Sequence, residues 1–184
     1  MRPNWFIGFP INAGNWYETV ITKVPAGIKS FEPVDLHITL AFLGPCGAEK
    51  ALLSWEKAVE LPLSKSSISL GRMAPFGNPE RPSAYAFTID HGKEKLVKWM
   101  KFHRDGLLEL AGKKSEKYRT PIPHITIARP PRNASDELRS KGLEWALNFP
   151  QIEVSTELSG IALYTWSDDR TRQLFKMVKS LSWD

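Results

Sequence analysis

The chain has 184 residues, the usual length of one domain, and 42% of them are apolar, which is enough for a hydrophobic core. It carries 25 basic and 20 acidic residues, a net charge of +5 that mildly favours anionic partners such as RNA. One cysteine excludes an intrachain disulfide, no zinc-binding spacing of His and Cys occurs, and no apolar stretch could span a membrane. We therefore expect one cytoplasmic domain, residues 1–184, without a metal, a cofactor or a membrane partner.

The first half of the chain alternates apolar and turn-forming segments. A loop rich in proline and glycine is expected at 75–82. The predicted elements of this half are a strand at 5–10, a helix at 15–23, a strand at 36–43, a helix at 48–61 and strands at 67–73 and 84–90.

The second half begins with the clearest helical periodicity, at 95–110. Ser135 is a suitable N-cap for a short helix that ends near 143. The remaining predicted strands lie at 122–129, 152–158, 161–166 and 173–180. Helices and strands do not alternate regularly, so the pattern predicts an α+β fold rather than a parallel α/β fold.

Two of the predicted strands contain the same motif. Residues 36–43 read Leu-His-Ile-Thr-Leu-Ala-Phe-Leu, and residues 123–130 read Pro-His-Ile-Thr-Ile-Ala-Arg-Pro. Side chains alternate between the two faces of a strand, so His37 and Thr39 share one face, as do His124 and Thr126. The repeat suggests two related halves, each supplying one imidazole and one hydroxyl.

This set of side chains suits phosphoryl transfer without a metal. One imidazole can act as a general base and the other as a general acid, because histidine titrates near neutral pH. The two hydroxyls can donate hydrogen bonds to phosphate oxygens. The alternative is two ordinary strands with histidines at their ends, but two His-x-Thr sequences among four histidines would arise by chance in only roughly one or two per cent of cases.

The paired motifs resemble those of the two-histidine (2H) phosphoesterase superfamily. Residues 34–44, Val-Asp-Leu-His-Ile-Thr-Leu-Ala-Phe-Leu-Gly, are similar to the first motif of its LigT-like branch, the RNA 2′,3′-cyclic phosphodiesterases once called 2′-5′ RNA ligases. The second motif at 124–129 and the segment 75–82 between the motifs show the same resemblance. It implies two pseudo-symmetric lobes of antiparallel sheet with outer helices, and a central cleft that carries both motifs.

The resemblance also implies roles for the motif residues. His124 would be the base that activates water, His37 the acid that protonates the leaving ribose 3′ oxygen, and Thr39 and Thr126 the groups that hold the phosphate. The implied reaction converts a 2′,3′-cyclic phosphate to a 2′-phosphate, and its reversal would form a 2′-5′ bond. The partner would be RNA or a nucleotide with a cyclic phosphate, and we expect a monomer.

Three further residues are candidates for substrate binding. Phe42 and Arg129 each stand five places after a motif histidine, an odd offset that reaches the cleft only if the strand bulges or ends there. The resemblance implies that Phe42 stacks on a base and that Arg129 lies beside the phosphate, roles that suit both side chains. Arg81, in the predicted loop, matches an Arg-Pro pair of the family and would lie at the rim.

One departure from the family concerns the second motif. Many relatives have arginine directly before Pro-His, where this chain has Ile122, and Arg119 is a possible substitute. The nearby lysines at 113, 114 and 117, with Tyr118, form either a surface that follows an RNA backbone or a plain solvated loop.

Other functions are compatible with the same residues. A related 2H enzyme could act on 2′-5′ oligoadenylate, on a small cyclic phosphate, or as an exonuclease at RNA 3′ ends. A protein of a different class could bind RNA in the cleft without turnover. Both histidines and both threonines are present, which favours an enzyme.

Overall fold

Two antiparallel sheets form the framework of the protein. The computed structural model describes residues 2–115 and 119–184. Its strands are β1 (Trp5–Pro10), β2 (Lys29–Ser30), β3 (His37–Gly44), β4 (Ser66–Gly77), β5 (Pro82–Ile89), β6 (His124–Arg129), β7 (Ser155–Leu158), β8 (Gly160–Trp166) and β9 (Phe175–Ser182). Its helices are α1 (Trp16–Ile21), α2 (Ala48–Val59), α3 (Lys93–Leu110) and α4 (Asp136–Asn148), and a 3-10 turn at Pro33–Asp35 precedes β3.

Each sheet contains one motif strand, which confirms the predicted α+β fold of two lobes. The first sheet has the order β3-β1-β8-β9, and the second has the order β2-β6-β5-β4-β7. The first lobe is built from the two ends of the chain and the second mainly from its middle, so the lobes are not consecutive halves of the sequence. Antiparallel pairing of β1 with β8 brings the C-terminal hairpin beside the first motif.

The helices cover the outer faces of the sheets, as predicted. Helix α3 packs on β3 and α2, and helix α4 packs on β4 and β5. The inward side chains of α3 are Leu96, Trp99, Met100, Leu107 and Leu108, all buried. Each such side chain contributes roughly 1.5–3 kcal/mol through burial, so the helices hold the sheets in place from outside and leave the space between the lobes for the site.

The predicted loop at 75–82 is wrong in its extent. Strand β4 continues to Gly77 and β5 starts at Pro82, so the connection is four residues, 78–81. Strand β7 pairs with residues 66–69 of β4, and no other strand of the described residues pairs with the outer side of β4 near Pro75. A proline without an N–H group is tolerated at such an edge, and the strand therefore extends past it.

Helix α4 continues five residues beyond its predicted end. Ser135 caps it as predicted, because its hydroxyl accepts a hydrogen bond from the Leu138 N–H at 3.2 Å. Gly142 lies inside the helix at a point of close approach to β5. A Cβ atom at this position would lie 2.3 Å from the Tyr85 hydroxyl, so a larger residue would not fit. The glycine allows close contact between α4 and β5, which outweighs its low helix propensity.

Candidate active site

An open cleft of about 1010 Å³ lies between the lobes. Its lining contains every predicted site residue except His124, which stands on β6 two places before Thr126. The predicted residues in the lining are His37, Thr39, Phe42, Arg81, Thr126 and Arg129. Both motif strands therefore contribute to one cavity, although no backbone ladder joins β3 to β6.

The two motif strands share one pattern of exposure. The His and Thr positions are half-buried, whereas the residues between and after them are buried. In β3 the buried positions are Ile38 and Leu40, and in β6 they are Ile125 and Ile127. The alternation predicted from the sequence is present in both strands, so each strand directs its polar pair away from the core.

Strand β3 contains a bulge three residues after its histidine. Ile7 of β1 is opposite Ala41, and Gly8 is opposite Thr39, so Leu40 has no pairing partner of its own on β1. An extra residue of this kind bends the strand and shifts the alternation by one position.

Strand β6 has the same irregularity at the matching position. Tyr85 of β5 is opposite Ala128, and Ala86 is opposite Thr126, so Ile127 is the extra residue. The two bulges explain why the residues five places after each histidine, Phe42 and Arg129, line the cleft despite an odd offset. Of the two possibilities left by the sequence, a bulge or a strand end, the structure has a bulge in both strands, and β6 also ends at Arg129.

Both imidazoles are held by the same backbone contact. The His37 Nδ1–H donates to the carbonyl oxygen of Asp35 at 2.6 Å, and the His124 Nδ1–H donates to that of Ile122 at 2.7 Å. A carbonyl only accepts hydrogen bonds, so Nδ1 carries a proton in each ring. Each histidine therefore keeps Nε2 as the atom that can gain or lose a proton.

An aromatic ring stacks on each imidazole. Phe6 on β1 stacks on His37 with 4.4 Å between ring centroids, and Phe76 on β4 stacks on His124 with 4.1 Å between centroids. Sequence reasoning assigned no role to either phenylalanine. Phe6 lies in a predicted strand, where an aromatic residue indicates the core. Phe76 lies in the segment predicted as a loop.

The two imidazoles differ in how far they are enclosed. His37 also contacts Tyr164 and Phe175, each with 5.5 Å between ring centroids. Burial lowers the pKa of His37 to about 4, and the positive charge that His124 can carry acts in the same direction. Burial also lowers the pKa of His124, and because that ring is less enclosed we infer a smaller shift.

Asp35 is a buried carboxylate that sequence reasoning did not single out. Its side chain is 0% exposed and accepts hydrogen bonds from the N–H groups of Leu174 (2.9 Å) and Phe175 (2.9 Å). The same residue supplies the carbonyl that holds His37. Asp35 thus ties the end of the β8–β9 connection to the first motif. An acidic residue beside the motif was the only sequence signal for it.

The predicted binding residues all line the cleft, and each is held by a different contact. The Phe42 side chain is 47% exposed, and Lys113 lies 5.0 Å from its ring centroid and donates to its carbonyl at 2.8 Å. The guanidinium of Arg129 lies 5.7 Å from the ring centroid of Phe31. Arg81 is 62% exposed and forms an ion pair of 3.4 Å with Asp136, which fits the rim position expected for it.

Further basic residues line the cleft without having been predicted: Lys29, Arg132, Arg139 and Arg170. The guanidinium of Arg139 donates to the carbonyls of Pro82, Pro131 and Arg132, so it holds the segment after β6 in place. Lys29 and Arg170 are far from the other two in sequence, and only the packing of the lobes brings all four to one cleft.

Arg119 is exposed and is not among the cleft-lining residues, so nothing in the structure supports it as the replacement for the missing arginine. The predicted basic surface lies partly outside the described residues, since these exclude 116–118 and hence Lys117 and Tyr118.

Two observations apply to residues 2–115 and 119–184 alone. No group of three His, Cys, Asp or Glu side chains there is arranged to hold a metal ion. No helix within this part of the chain is both long and apolar enough to cross a membrane.

Comparison with known proteins places this geometry in a family. No protein-family model matches the chain. It is 30% identical over 135 residues to the RNA 2′,3′-cyclic phosphodiesterase of Bacillus subtilis, covering 70% of this chain and 72% of the relative. It is 29% identical over 132 residues to the Archaeoglobus fulgidus protein of the same name, covering 70% of this chain and 71% of the relative.

A solved structure agrees in fold. The crystal structure of E. coli LigT complexed with 3′-AMP matches with a TM-score of 0.73 at 20% identity, over 100% of this chain and 99% of that one. The similarity to the Bacillus relative, extending over more than two thirds of both proteins, carries the assignment. The chain belongs to the RNA 2′,3′-cyclic phosphodiesterase family, the LigT-like branch of the 2H phosphoesterases.

Proposed function

We propose that this protein hydrolyses the 2′,3′-cyclic phosphate at RNA ends to a 2′-phosphate, and that it does so without a metal. The observation that carries the proposal is the matched pair of motifs. Two His-x-Thr strands meet at one cleft, and each imidazole has the same carbonyl contact at Nδ1 and the same stacked phenylalanine. The name of the curated relatives supports RNA as the substrate class.

In the proposed reaction a water oxygen attacks phosphorus and the bond from phosphorus to the ribose 3′ oxygen breaks. His124 takes the proton of the water at Nε2, and His37 gives a proton from Nε2 to the leaving oxygen. The two transfers balance, so the protein ends the reaction with its histidines in exchanged protonation states and regains the starting state through solvent.

The unequal enclosure of the imidazoles supports this division of roles. A group of low pKa gives up its proton readily, which suits His37 as the acid, with a pKa near 4. His124 is less enclosed and therefore the stronger base of the two. The anionic phosphate of the substrate favours the charged form of a neighbouring imidazole, so substrate binding would raise the proton occupancy of His37.

The remaining residues would bind and orient the substrate. Thr39 and Thr126 both line the cleft, and their hydroxyls would donate to the two non-bridging oxygens. Arg129 would add charge beside the phosphate, Phe42 would stack on the terminal base, and Arg81 would contact the substrate at the rim. By microscopic reversibility, the same groups would also allow 2′-5′ joining.

We further propose that the chain acts as one domain and as a cytoplasmic monomer. One buried cluster includes side chains from both sheets, among them Ile7 and Ile38 from the first and Phe87 and Ile125 from the second. A shared core of this kind is the usual property of a single domain.

The test uses an RNA oligonucleotide with a 2′,3′-cyclic phosphate end, in buffer with EDTA, and identifies the phosphate isomer by ³¹P NMR. We expect a 2′-phosphate product, with turnover unchanged by the chelator. A 3′-phosphate product, or activity that stops in EDTA and returns with a divalent ion, would contradict the mechanism. Binding without turnover would indicate the RNA-binding alternative, and a substrate panel separates the other 2H activities.

A further inference from the structure

Three arginines converge on one part of the cleft. Arg129 ends β6, Arg132 follows it after two prolines, and Arg170 lies in the connection between β8 and β9. All three line the cleft, as does Lys29, whose ammonium donates to the carbonyl of Arg170 at 2.8 Å. Among residues 2–115 and 119–184, the guanidinium groups of these arginines form no ion pair and no hydrogen bond with the protein.

Acidic residues near the cluster are engaged elsewhere. Asp168 pairs with Lys176 at 2.8 Å, and Asp169 accepts from Thr171 and lies 3.7 Å from Arg172. The carboxylate of Asp35 accepts from backbone N–H groups. Among the described residues no carboxylate forms an ion pair with these arginines, and the Asp35 carboxylate only partly offsets the positive charge around Arg129.

Arg170 is held by packing rather than by hydrogen bonds. Its guanidinium lies 4.4 Å from the ring centroid of Trp166, which also lines the cleft. Its Nε atom is buried without a hydrogen-bond partner in the described part of the chain. Stacking on an aromatic face fixes the plane of a guanidinium while leaving its terminal donors available, so the side chain is oriented before any ligand arrives.

The cluster is electrostatically unfavourable in the free protein. Burial lowers the pKa of Arg129, and the charges of Arg170 and Arg132 lower it further. The scissile cyclic phosphate carries one negative charge, and the proposed mechanism assigns it the two threonines and Arg129. The additional charges of Arg132, Arg170 and Lys29 therefore match a second anionic group of the substrate.

We propose that Arg132 and Arg170 bind the phosphodiester that joins the terminal nucleotide to the one before it. This inference rests on the proposed function and narrows its substrate class. The substrate would be an RNA end of at least two nucleotides, in preference to a free nucleoside 2′,3′-cyclic phosphate. Arg170 would donate to the non-bridging oxygens of that phosphodiester. Arg132, which is exposed, would contact the same group from the solvent side.

The test compares two dinucleotides that differ by one charge. Both are ApA with a terminal 2′,3′-cyclic phosphate, one with the natural phosphodiester linkage and the other with a neutral methylphosphonate linkage. We expect the wild-type protein to show a kcat/KM about 10-fold higher for the charged dinucleotide, the size expected for one charge-assisted contact. That ratio should fall below about 2 in Arg170→Gln, with a smaller fall in Arg132→Gln because Arg132 is exposed.

Arg172→Gln is the matched control, because Arg172 lies in the same connection, is 89% exposed and pairs with Asp169. It should keep the wild-type ratio. Hydrolysis of both dinucleotides at equal rates by the wild-type protein, or an unchanged ratio in both variants, would overturn the inference and leave the proposed function standing. Failure to hydrolyse either dinucleotide would overturn both. The melting temperature checks folding, and if Arg170→Gln does not fold, Arg132→Gln decides the outcome.

Discussion

The two motif histidines have the same backbone and stacking contacts, but other aromatic side chains enclose His37 more than His124. His37 and His124 each stand two residues after the carbonyl that accepts from Nδ1, and each lies under a phenylalanine of another strand in its own sheet. The C-terminal hairpin adds Tyr164 and Phe175 around His37. No further aromatic contact of this kind surrounds His124 within the described residues.

This difference shows how one motif can serve two chemical roles. The shared supports fix the tautomer, so that both rings present Nε2 as the reactive atom. The unequal enclosure separates their proton affinities, and one ring becomes the stronger acid while the other becomes the stronger base. The repeated motif supplies the two imidazoles. The C-terminal hairpin, which packs in the first lobe, makes their proton affinities different.

The largest effects should come from removing either imidazole. His37→Ala and His124→Ala should each lower kcat/KM by roughly 10²–10⁴-fold, because each loses one proton transfer. Steady-state assays on a 2′,3′-cyclic phosphate measure the loss, and circular dichroism checks the fold. His91→Ala is a control, since His91 is exposed and lies outside the cleft. Near wild-type activity in either motif variant would mean that the two histidines do not act as a pair.

The threonines should have smaller and similar effects. Thr39→Val and Thr126→Val each remove a hydroxyl while keeping the β-branched shape, so we expect a loss of about 10- to 150-fold in kcat/KM, the worth of a charge-assisted hydrogen bond. The serine variants keep the hydroxyl and should lose much less. If one valine variant is crippled and the other behaves like wild type, the two lobes do not share the phosphate.

The Asp35 carboxylate should stabilise the first lobe, because it anchors the β8–β9 connection there. Asp35→Asn replaces a carboxylate oxygen that accepts from backbone N–H groups with a donor, so the free energy of unfolding should fall by about 1–3 kcal/mol. Urea denaturation measures this change. Asp168→Asn, in a pair whose carboxylate is 88% exposed, should stay within about 0.5 kcal/mol of wild type. Equal stability of the Asp35 and Asp168 variants would show that the carboxylate does not anchor the hairpin.

The smallest effect concerns proton affinity itself. Burial disfavours the charged imidazole, so Phe175→Leu, which opens the enclosure, should raise the pKa of His37 from about 4 towards its ordinary range. The pKa of His124 should not change, because Phe175 contacts the ring of His37. Titration of both imidazoles by ¹H–¹⁵N NMR between pH 3 and 8 follows them separately. If His37 titrates near 6.5 in the wild-type protein, the proposed difference in proton affinity between the two histidines is wrong.

The shift also determines the pH dependence of the rate. Activity needs one protonated and one neutral histidine, and both pKa values in the free protein are lowered by burial. The profile of kcat/KM should therefore be bell-shaped with both limbs below the ordinary histidine value of about 6.5. The active form is one of the two singly protonated states of the pair, so the acidic limb reflects gain of a second proton and the basic limb reflects loss of the single proton. A basic limb above pH 8 would contradict the assigned environments.

The sequence was sufficient for the paired motifs but not for their surroundings. Strand periodicity placed the His and Thr side chains on one face, and the odd offsets of Phe42 and Arg129 indicated a bulge or a strand end before the structure resolved which. These signals lie within a few residues of one strand, where the period of 2 applies directly.

The supports were not predictable, because they depend on contacts between distant segments. Asp35 accepts a hydrogen bond from Leu174, and the charge of Arg170 acts on Arg129, through packing that no local pattern encodes. Phe76 was hidden by the proline-rich segment, which normally indicates a loop. That segment forms a strand here because the outer side of β4 is open at Pro75.

A substrate with a better leaving group tests the central claim, that the unequal histidines have different roles. A 2′,3′-cyclic phosphate with sulfur in place of the bridging 3′ oxygen needs no acid, because a thiol ionises near pH 8.5, far below an alcohol. On this substrate the loss in His37→Ala should shrink to less than about tenfold, whereas His124→Ala should keep its roughly 10²–10⁴-fold loss. Rescue of His124→Ala instead, or equal losses in both variants, would contradict the assignment.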